Sequence, residues 1–344
     1  MEIFWYGLLG LFFAGYLVLG GYDYGVGILL ARTPTEAERA GRSIADTRRV
    51  ALNAVGPYFL GNEVWLVAAV GILFGAFPTL EGELLSSLYP AVAAALVGVV
   101  VVTTAVQLRS RPSGDRSRTR WDRLIIVGSA LAAAGWGAVL AGLLQGVPLR
   151  PDGHIDGVGH LLTPFVAASA LALVALVTVH GATFLALRLP PQPARHAAAL
   201  GHRLVAVALA TLGAAAVLGA LSEQVRQSVR QPAVAVLGLL VLAGTLLAAR
   251  RALGRGQPGV AFTATCLALA LPVLLVGAAN WPYALVSTAD PAADLTVAGA
   301  AAAEPTLRLL TWLVVPLLPA LLGFQLMSWW VFRGRIEGHA PVYW

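Results

Sequence analysis

The sequence predicts an all-α fold, a polytopic membrane helical bundle of about nine transmembrane helices. Of its 344 residues, 58% are hydrophobic and 12% are charged, whereas a soluble domain carries about 25% charged residues. Long apolar runs recur along the chain, and each has about the 20 residues that a helix needs to cross a bilayer core. All 23 basic residues are arginine, and they concentrate in the short segments between the runs.

The apolar runs favour helices because they are long and uniformly apolar, without the period-two alternation of barrel strands. The second run contains Pro57, and the eighth contains Pro272 and Pro282. Membrane helices tolerate proline where neighbouring groups satisfy the freed carbonyls. We expect residues 1–344 to form a single membrane domain. The expected spans are 4–31, 50–77, 79–108, 122–146, 161–189, 198–221, 232–253, 260–286 and 306–333.

The arginines predict the orientation of the bundle. The loops 32–49 and 109–121 carry five arginines each, whereas the opposite side of the membrane has only Arg150, Arg226 and Arg230 in its loops. Arginine-rich loops stay in the cytoplasm. We therefore expect the N-terminus outside and the C-terminus in the cytoplasm of a bacterial inner membrane. The net charge of +6 then reflects topology, and no nucleic acid partner is expected.

Away from the ends of the expected spans, three acidic or basic residues lie inside the apolar runs, namely Asp23, Glu63 and His180. A charge at the centre of the bilayer costs about 2.5–3.5 kcal/mol on insertion scales, so such residues are rare and often functional. Each is therefore a candidate for proton transfer. The alternative for each is a structural role as a hydrogen-bonding group.

Asp23 lies in a glycine-rich stretch towards the cytoplasmic end of the first span. Gly20, Asp23 and Gly27 share one helix face, and Gly21 and Gly25 form a GxxxG pair beside it. Small residues let another helix approach closely, so these glycines are candidates for helix packing or a subunit interface. The carboxyl is then expected between helices, where it either handles protons or makes a structural hydrogen bond.

Glu63 falls near the middle of the second span. A protonatable carboxyl at this depth suits a proton relay. Asn62 and Trp65 are spaced i, i+3 and can line one helix face, which makes them further candidates for packing or a subunit interface. In the alternative, Glu63 is neutral and is bonded to a carbonyl that Pro57 leaves free.

His180 lies in the cytoplasmic half of the fifth span, where a relay role and a packing role both stay open. Haem takes axial His, Met, Cys or Tyr ligands. Apart from Met1, the only methionine is Met327, and the other histidines fall in loops or at span edges. The sequence therefore predicts no metal site and no haem held by this chain alone. It contains no P-loop, G-x-S-x-G or CxxC motif, and no catalytic residue is expected.

Several motifs resemble those of subunit II of the cytochrome bd quinol oxidases. Residues 21–27, GYDYGVG, are similar to the family signature G-F-D-L-G-V-G. Residues 61–66, GNEVWL, and 74–78, FGAFP, look like its G-N-E-V-W-L and F-A-A-F-P elements. The resemblance extends from about residue 5 to the C-terminus, and it includes similar elements at 180–188, 281–287 and 330–335.

The resemblance implies a heterodimer with a larger subunit I, which holds b-type haems and a d-type haem. That complex oxidises quinol and reduces dioxygen to water. Subunit II is then the haem-free member, which stabilises its partner and in some relatives contributes part of a proton path, an oxygen path or a bound structural quinone. A small accessory subunit is a further implied partner. Asp23, Glu63 and Trp65 match family positions.

One departure from the family pattern concerns proton transfer. Many members have W-D before G-N-E, where this chain has Phe59 and Leu60. Leu60 cannot carry a proton. Either Glu63 takes over this role, or the path lies wholly in the partner.

Two functions outside this family also remain open from the residues. One is a stand-alone secondary transporter that uses Asp23 and Glu63 as coupling carboxylates, and the other is a membrane scaffold. Transporters favour inverted repeats and broken helices at mid-depth. Pro57 and Pro272 are consistent with such breaks, but the sequence shows no convincing repeat.

Overall fold

In the computed structural model, the chain folds almost entirely into α-helices. The structure describes residues 1–32, 41, 43–109, 115–155 and 157–336. Within these ranges, nine helical segments are long and apolar enough to cross a membrane. This confirms the predicted fold class. Arg39, Arg42 and Arg111, which contribute to the predicted orientation, lie outside the described residues.

The described residues of the first half form six helices, and the first of them continues into a 3-10 turn at Leu30–Arg32. They are α1 (Glu2–Leu29), α2 (Ile44–Val55), α3 (Phe59–Ala76), α4 (Pro78–Ser87), α5 (Tyr89–Leu108) and α6 (Asp115–Gln145).

The second half adds eight helices and a small antiparallel hairpin. The helices before the hairpin are α7 (Pro164–Arg188), α8 (Pro191–Leu221), α9 (Glu223–Ser228), α10 (Pro232–Gly254) and α11 (Pro258–Ala279). The hairpin pairs β1 (Tyr283–Leu285) with β2 (Leu295–Thr296), and it is followed by α12 (Val297–Ala300), α13 (Glu304–Val314) and α14 (Leu318–Val331).

Three expected spans are interrupted near prolines. The expected span 50–77 is divided at Gly56–Tyr58, the span 79–108 at Leu88, and the span 306–333 by a 3-10 turn at Val315–Leu317. Proline has no backbone N–H and clashes with the preceding helical turn, so a helix tends to end before it. As a result α2, with its charged residues, lies ahead of the membrane-crossing helix α3.

The bundle is built around α1 and α7. Helix α1 contacts α3, α6, α7 and α11. More than half of the residues in the apolar stretches of α6 and α7 are buried, whereas none are buried in the apolar stretch of the segment formed by α13 and α14. The C-terminal segment is therefore peripheral.

The backbones of α1 and α7 touch at a pair of glycines. A Cβ atom added to Gly25 would collide with the carbonyl oxygen of Val177 and the backbone of Gly181. A Cβ atom on Gly181 would in turn collide with the backbone of Gly25. The predicted close approach of a helix to the Gly21–Gly25 pair thus involves α7 of the same chain. No other residue type is small enough for this contact.

We expect Gly25→Val to force α1 and α7 apart and to destabilise the protein by at least about 1–3 kcal/mol, the usual cost of overpacking. Gly7→Val is the matched control, because Gly7 lies on the same helix and a Cβ atom there would meet nothing within 4 Å. The detergent-purified variants are heated, and the folded fraction is read by size-exclusion chromatography. The measured quantity is the difference between their unfolding midpoints. Equal midpoints for the two variants would show that the glycine contact is not needed.

Candidate functional site

The Asp23 carboxyl is buried in the bundle and is held by a side chain from α3. The Asn62 amide nitrogen lies 2.8 Å from Asp23 Oδ2, 2.7 Å from the Tyr22 hydroxyl and 3.1 Å from the carbonyl oxygen of Leu19. Asn62 is fully buried. Two residues that the sequence proposed separately, Asp23 and Asn62, therefore form one polar site between α1 and α3.

Two oxygens of this site keep unused hydrogen-bonding capacity. Asp23 Oδ1 and Asn62 Oδ1 are buried and have no hydrogen-bond partner among the described residues. A buried polar atom without a partner is costly, and such sites often hold water or a proton donor. Each oxygen can thus accept a hydrogen bond from a water molecule, and the Asp23 carboxyl can also take up a proton.

Glu63 lies at the outer side of α3 and not in the Asp23 site. Its carboxyl is half-buried and accepts a short hydrogen bond from the Thr103 hydroxyl of α5. The adjacent stripe of α3 is exposed, with Val67 at 70%. Within the described residues no hydrogen bond joins Glu63 to Asp23. The structure therefore separates the two carboxyls into an inner site and a surface site.

His180 is fully buried and makes hydrogen bonds to two other helices. Its Nε2 lies 3.0 Å from the carbonyl oxygen of Val18, which can only accept, so Nε2 carries the proton. Its Nδ1 lies 2.7 Å from the Thr265 hydroxyl oxygen. The ring also stacks on Phe262 with centroids 4.8 Å apart. Both ring nitrogens are engaged, and the side chain connects α1, α7 and α11.

Trp65 fastens α3 to α1 and to the peripheral C-terminal segment. Its indole packs against Gly15, where a Cβ atom would overlap the ring, and against Phe12 with ring centroids 5.3 Å apart. Its N–H donates to Gln325 Oε1 of α14 at 3.2 Å. The side chain is buried. Trp65 therefore has a clear packing function within this chain.

The other glycines of the first motif also face neighbouring parts of the same chain. A Cβ atom on Gly21 would meet Leu269 of α11, and one on Gly27 would collide with the Ser129 hydroxyl of α6. Gly20 faces the rings of Tyr16 and Tyr24 on its own helix. These contacts explain the small residues by helix packing without the need for a second subunit.

An aromatic cluster joins α14 to the bundle near one end. The rings of Tyr58 and Trp329 stack with centroids 4.9 Å apart, and the Tyr58 hydroxyl donates to the carbonyl oxygen of Phe332 at 3.0 Å. The rings of Tyr22 and Phe184 stack beside them at 4.3 Å. The sequence did not predict this cluster, because its members come from four distant segments.

An ion cluster at the arginine-rich end was also missed. The buried carboxylate of Asp122 accepts from Arg48 at 2.7 Å and from Arg109 at 2.5 Å. It connects α2, the end of α5 and the start of α6. An acidic residue at the edge of an arginine-rich loop is a sequence signal for such an ion pair, although the signal does not identify the partners.

A family model described as cytochrome bd terminal oxidase subunit II matches residues 1–332. The chain belongs to this family. A family member is part of a haem-containing cytochrome bd complex, a quinol oxidase of the bacterial membrane. The resemblance noted in the sequence is thereby confirmed, and nothing supports the transporter alternative.

The subunit II relatives match this chain over nearly their full length. Cytochrome bd-I ubiquinol oxidase subunit 2 of Escherichia coli (strain K12) is 28% identical, with 98% of this chain and 95% of the relative covered. Cytochrome bd ubiquinol oxidase subunit 2 of Bacillus subtilis is 27% identical, with 98% and 97% covered. The structure of bd oxidase from Geobacillus thermodenitrificans has the same fold, with a TM-score of 0.70, 20% identity and coverage of 97% and 99%.

The described residues of this subunit II chain contain no group of three or more His, Cys, Asp or Glu side chains that could hold a metal ion. The buried His180 has both nitrogens engaged by Val18 and Thr265. We therefore assign no chemical step of this chain to a haem.

We expect Asp122→Asn to destabilise this subunit by about 3–5 kcal/mol, because two largely buried guanidinium groups lose their counter-charge. Asp46→Asn is the control, since Asp46 forms an exposed pair with Arg49 and such pairs contribute about 0–1 kcal/mol. Thermal unfolding of the purified variants measures both effects. A similar small change in both would mean that the Asp122 cluster does not stabilise the fold.

Proposed function

We propose that this chain is the haem-free subunit of a complex that oxidises quinol and reduces dioxygen to water. In this proposal b-type and d-type haems and all redox chemistry belong to subunit I, and this chain holds that partner in a stable arrangement. The observation that carries the proposal is the family match over residues 1–332.

The proposed location is the bacterial inner membrane, with the N-terminus outside and the C-terminus in the cytoplasm. The described part of the chain supports this orientation, because Arg32, Arg48, Arg109 and Arg188 all follow or precede membrane-crossing helices at one end of the bundle. Positive residues concentrate on the cytoplasmic side of membrane proteins.

The partner is expected to cover a continuous strip of α14, α3 and α5, which we name the docking face. Helix α3 lies between the other two, joined to α14 by the Trp65–Gln325 hydrogen bond and to α5 by the Glu63–Thr103 hydrogen bond. All three helices expose large apolar side chains along it. They are Leu60, Val64, Val67 and Phe74 of α3, Val97 and Val100 of α5, and Phe324, Met327 and Trp330 of α14.

The polar groups of this docking face favour a protein partner over lipid. Glu63 is only half-buried, and Thr104 and Gln107 of α5 are exposed. Carboxyl and amide groups in a membrane almost always face protein or water and rarely face lipid tails. A partner helix that donates hydrogen bonds would satisfy them.

For proton transfer we propose Glu63 as the group at the subunit boundary and Asp23 as the inner group. The oxygens of Asp23 and Asn62 without partners support the inner position. His180 is a weaker relay candidate, because a carbonyl and a hydroxyl already occupy its nitrogens. Leu60 is 54% exposed on the docking face, so a route through this position is interrupted by an apolar side chain.

Two apolar cavities support two more specific proposals, namely a bound structural quinone and an oxygen path. One, of about 710 Å³, lies between α1, α3, α6 and α11 and includes Trp136 and Trp281. The other, of about 580 Å³, lies between α7, α8, α10 and α11 and includes Pro272. Both offer almost entirely apolar walls, which suit an isoprenoid chain or dioxygen. A small accessory subunit remains a further proposed partner.

The first test is a visible absorption spectrum of the tagged chain, purified in mild detergent from its native membrane. We expect the reduced bands of b-type and d-type haems together with a second, larger polypeptide. A well-folded but colourless preparation without a partner would contradict the proposed function.

We expect Glu63→Gln to lower quinol oxidase turnover by about tenfold or more, in the range that loss of a proton-transfer group produces, and to change its pH profile. Asp23→Asn is expected to act in the same direction. Haem content of the purified complex is measured in parallel, because a purely structural role would remove haem through failed assembly. The control is Glu223→Gln, since Glu223 is exposed and paired with Arg226. Normal turnover and an unchanged pH profile in both assembled variants would rule out this route.

A further inference from the structure

A groove opens between four helices at the arginine-rich end of the bundle, and we name it the interfacial groove. It is bounded by the end of α1, by α2, by the end of α7 and by the start of α8. Its floor is aliphatic, with Leu29, Val50, Leu189 and Leu200 among its residues. The groove lies where membrane-crossing helices end, which is the level of lipid headgroups.

The rim of the interfacial groove is polar and positively charged. It contains Arg32, Thr47, Gln192 and His196. The guanidinium of Arg32 is exposed at the end of the first span. Among the described residues that line the groove, none is acidic. Helix α8 also begins here, and no side chain caps its first turn. The free backbone N–H groups of this turn add partial positive charge to that of Arg32.

We propose that the interfacial groove binds one anionic phospholipid, with the phosphate at Arg32 and the upper part of an acyl chain against the aliphatic floor. The anionic headgroup matches the positively charged rim, and the acyl chain matches the aliphatic floor. Basic pockets between membrane helices at the cytoplasmic side bind anionic headgroups, and each arginine near the surface strengthens binding by a modest amount. The aliphatic floor favours a phospholipid over a free phosphate ion, because only the lipid would remove this apolar surface from water.

The lipid would connect parts of the chain that have few other contacts. Helix α2 is amphipathic and short. Besides the Arg48–Asp122 ion pair with α6, it contacts the bundle through limited surfaces of α1 and α7. A lipid in the groove would contact α2 through Val50 and Ala51 and the bundle through Leu189 and Leu200. This inference concerns lipid binding alone and does not depend on the proposed oxidase activity.

The test uses the full chain in its purified complex, reconstituted into phosphatidylcholine vesicles with a small fraction of phosphatidylglycerol that carries a photoreactive diazirine on its acyl chain. After illumination and proteolysis, mass spectrometry is expected to find the label on peptides with Val50–Ala51 and Leu200. Arg32→Gln should lower this labelling about fivefold, which corresponds to the contribution of about 1 kcal/mol from one arginine near a membrane surface.

Two variants and one probe make the result specific. Arg195→Gln removes an equal charge from an exposed residue of α8 outside the groove, and it should leave the labelling unchanged. Ala51→Trp fills the groove without changing the charge and should abolish the labelling. Phosphatidylcholine with the same diazirine should label the groove weakly. Equal labelling by both lipids, full labelling of Arg32→Gln, or no labelling of the unmodified protein because another part of the complex occupies the groove would each overturn the proposal.

Discussion

The fold depends on the direct backbone contact between α1 and α7 at Gly25 and Gly181. Helices in lipid gain little from hydrophobic association, since lipid tails are as apolar as their side chains, and packing therefore relies on close approach and on polar contacts. The glycine pair brings the two backbones together. Only at this separation can His180 of α7 reach the carbonyl oxygen of Val18 on α1. The contact also makes α1 the central helix, around which α3, α6 and α11 pack.

Polar side chains then connect the outer helices to this central pair. Asn62 connects α3 to α1, and Thr265 connects α11 to α7 through His180. A hydrogen bond inside a membrane contributes only about 0.6–2 kcal/mol, but an unpaired polar group there has no water to replace its partner. The polar groups therefore specify the positions of the helices more than they add stability. Asp23 Oδ1 and Asn62 Oδ1 are buried without a hydrogen-bond partner among the described residues. They are therefore candidates for a function beyond packing.

The sequence was sufficient for the number of membrane-crossing helices among the described residues, because this number follows from local hydropathy. It also singled out Asp23 and Glu63 by their depth in apolar runs, and their role in proton transfer stays a prediction. It could not show that Asn62 reaches Asp23, that Asp122 lies between Arg48 and Arg109, or that Trp329 stacks on Tyr58. These contacts join residues far apart in the chain, and hydropathy does not encode which helices are neighbours. The sequence marked Pro57 as an interruption of the second run, whereas the break before α5 was missed, since proline is tolerated inside many membrane helices and its effect depends on the surrounding contacts.

The proposed docking face accounts for a C-terminal segment that is hardly buried. Segment α13–α14 contacts the bundle through Leu307 and Leu310, through the Trp65–Gln325 hydrogen bond and through the stacking of Trp329 on Tyr58, and much of its other surface is exposed and apolar. Lipid alone could cover that surface, but lipid would leave Glu63, Thr104 and Gln107 of the neighbouring helices without suitable partners. A protein surface that packs on α14 and also donates hydrogen bonds to Glu63 satisfies both requirements. Among the described residues, this face therefore combines α14, which has no buried residue, with the half-buried Glu63, as we expect for a subunit that is completed by its partner.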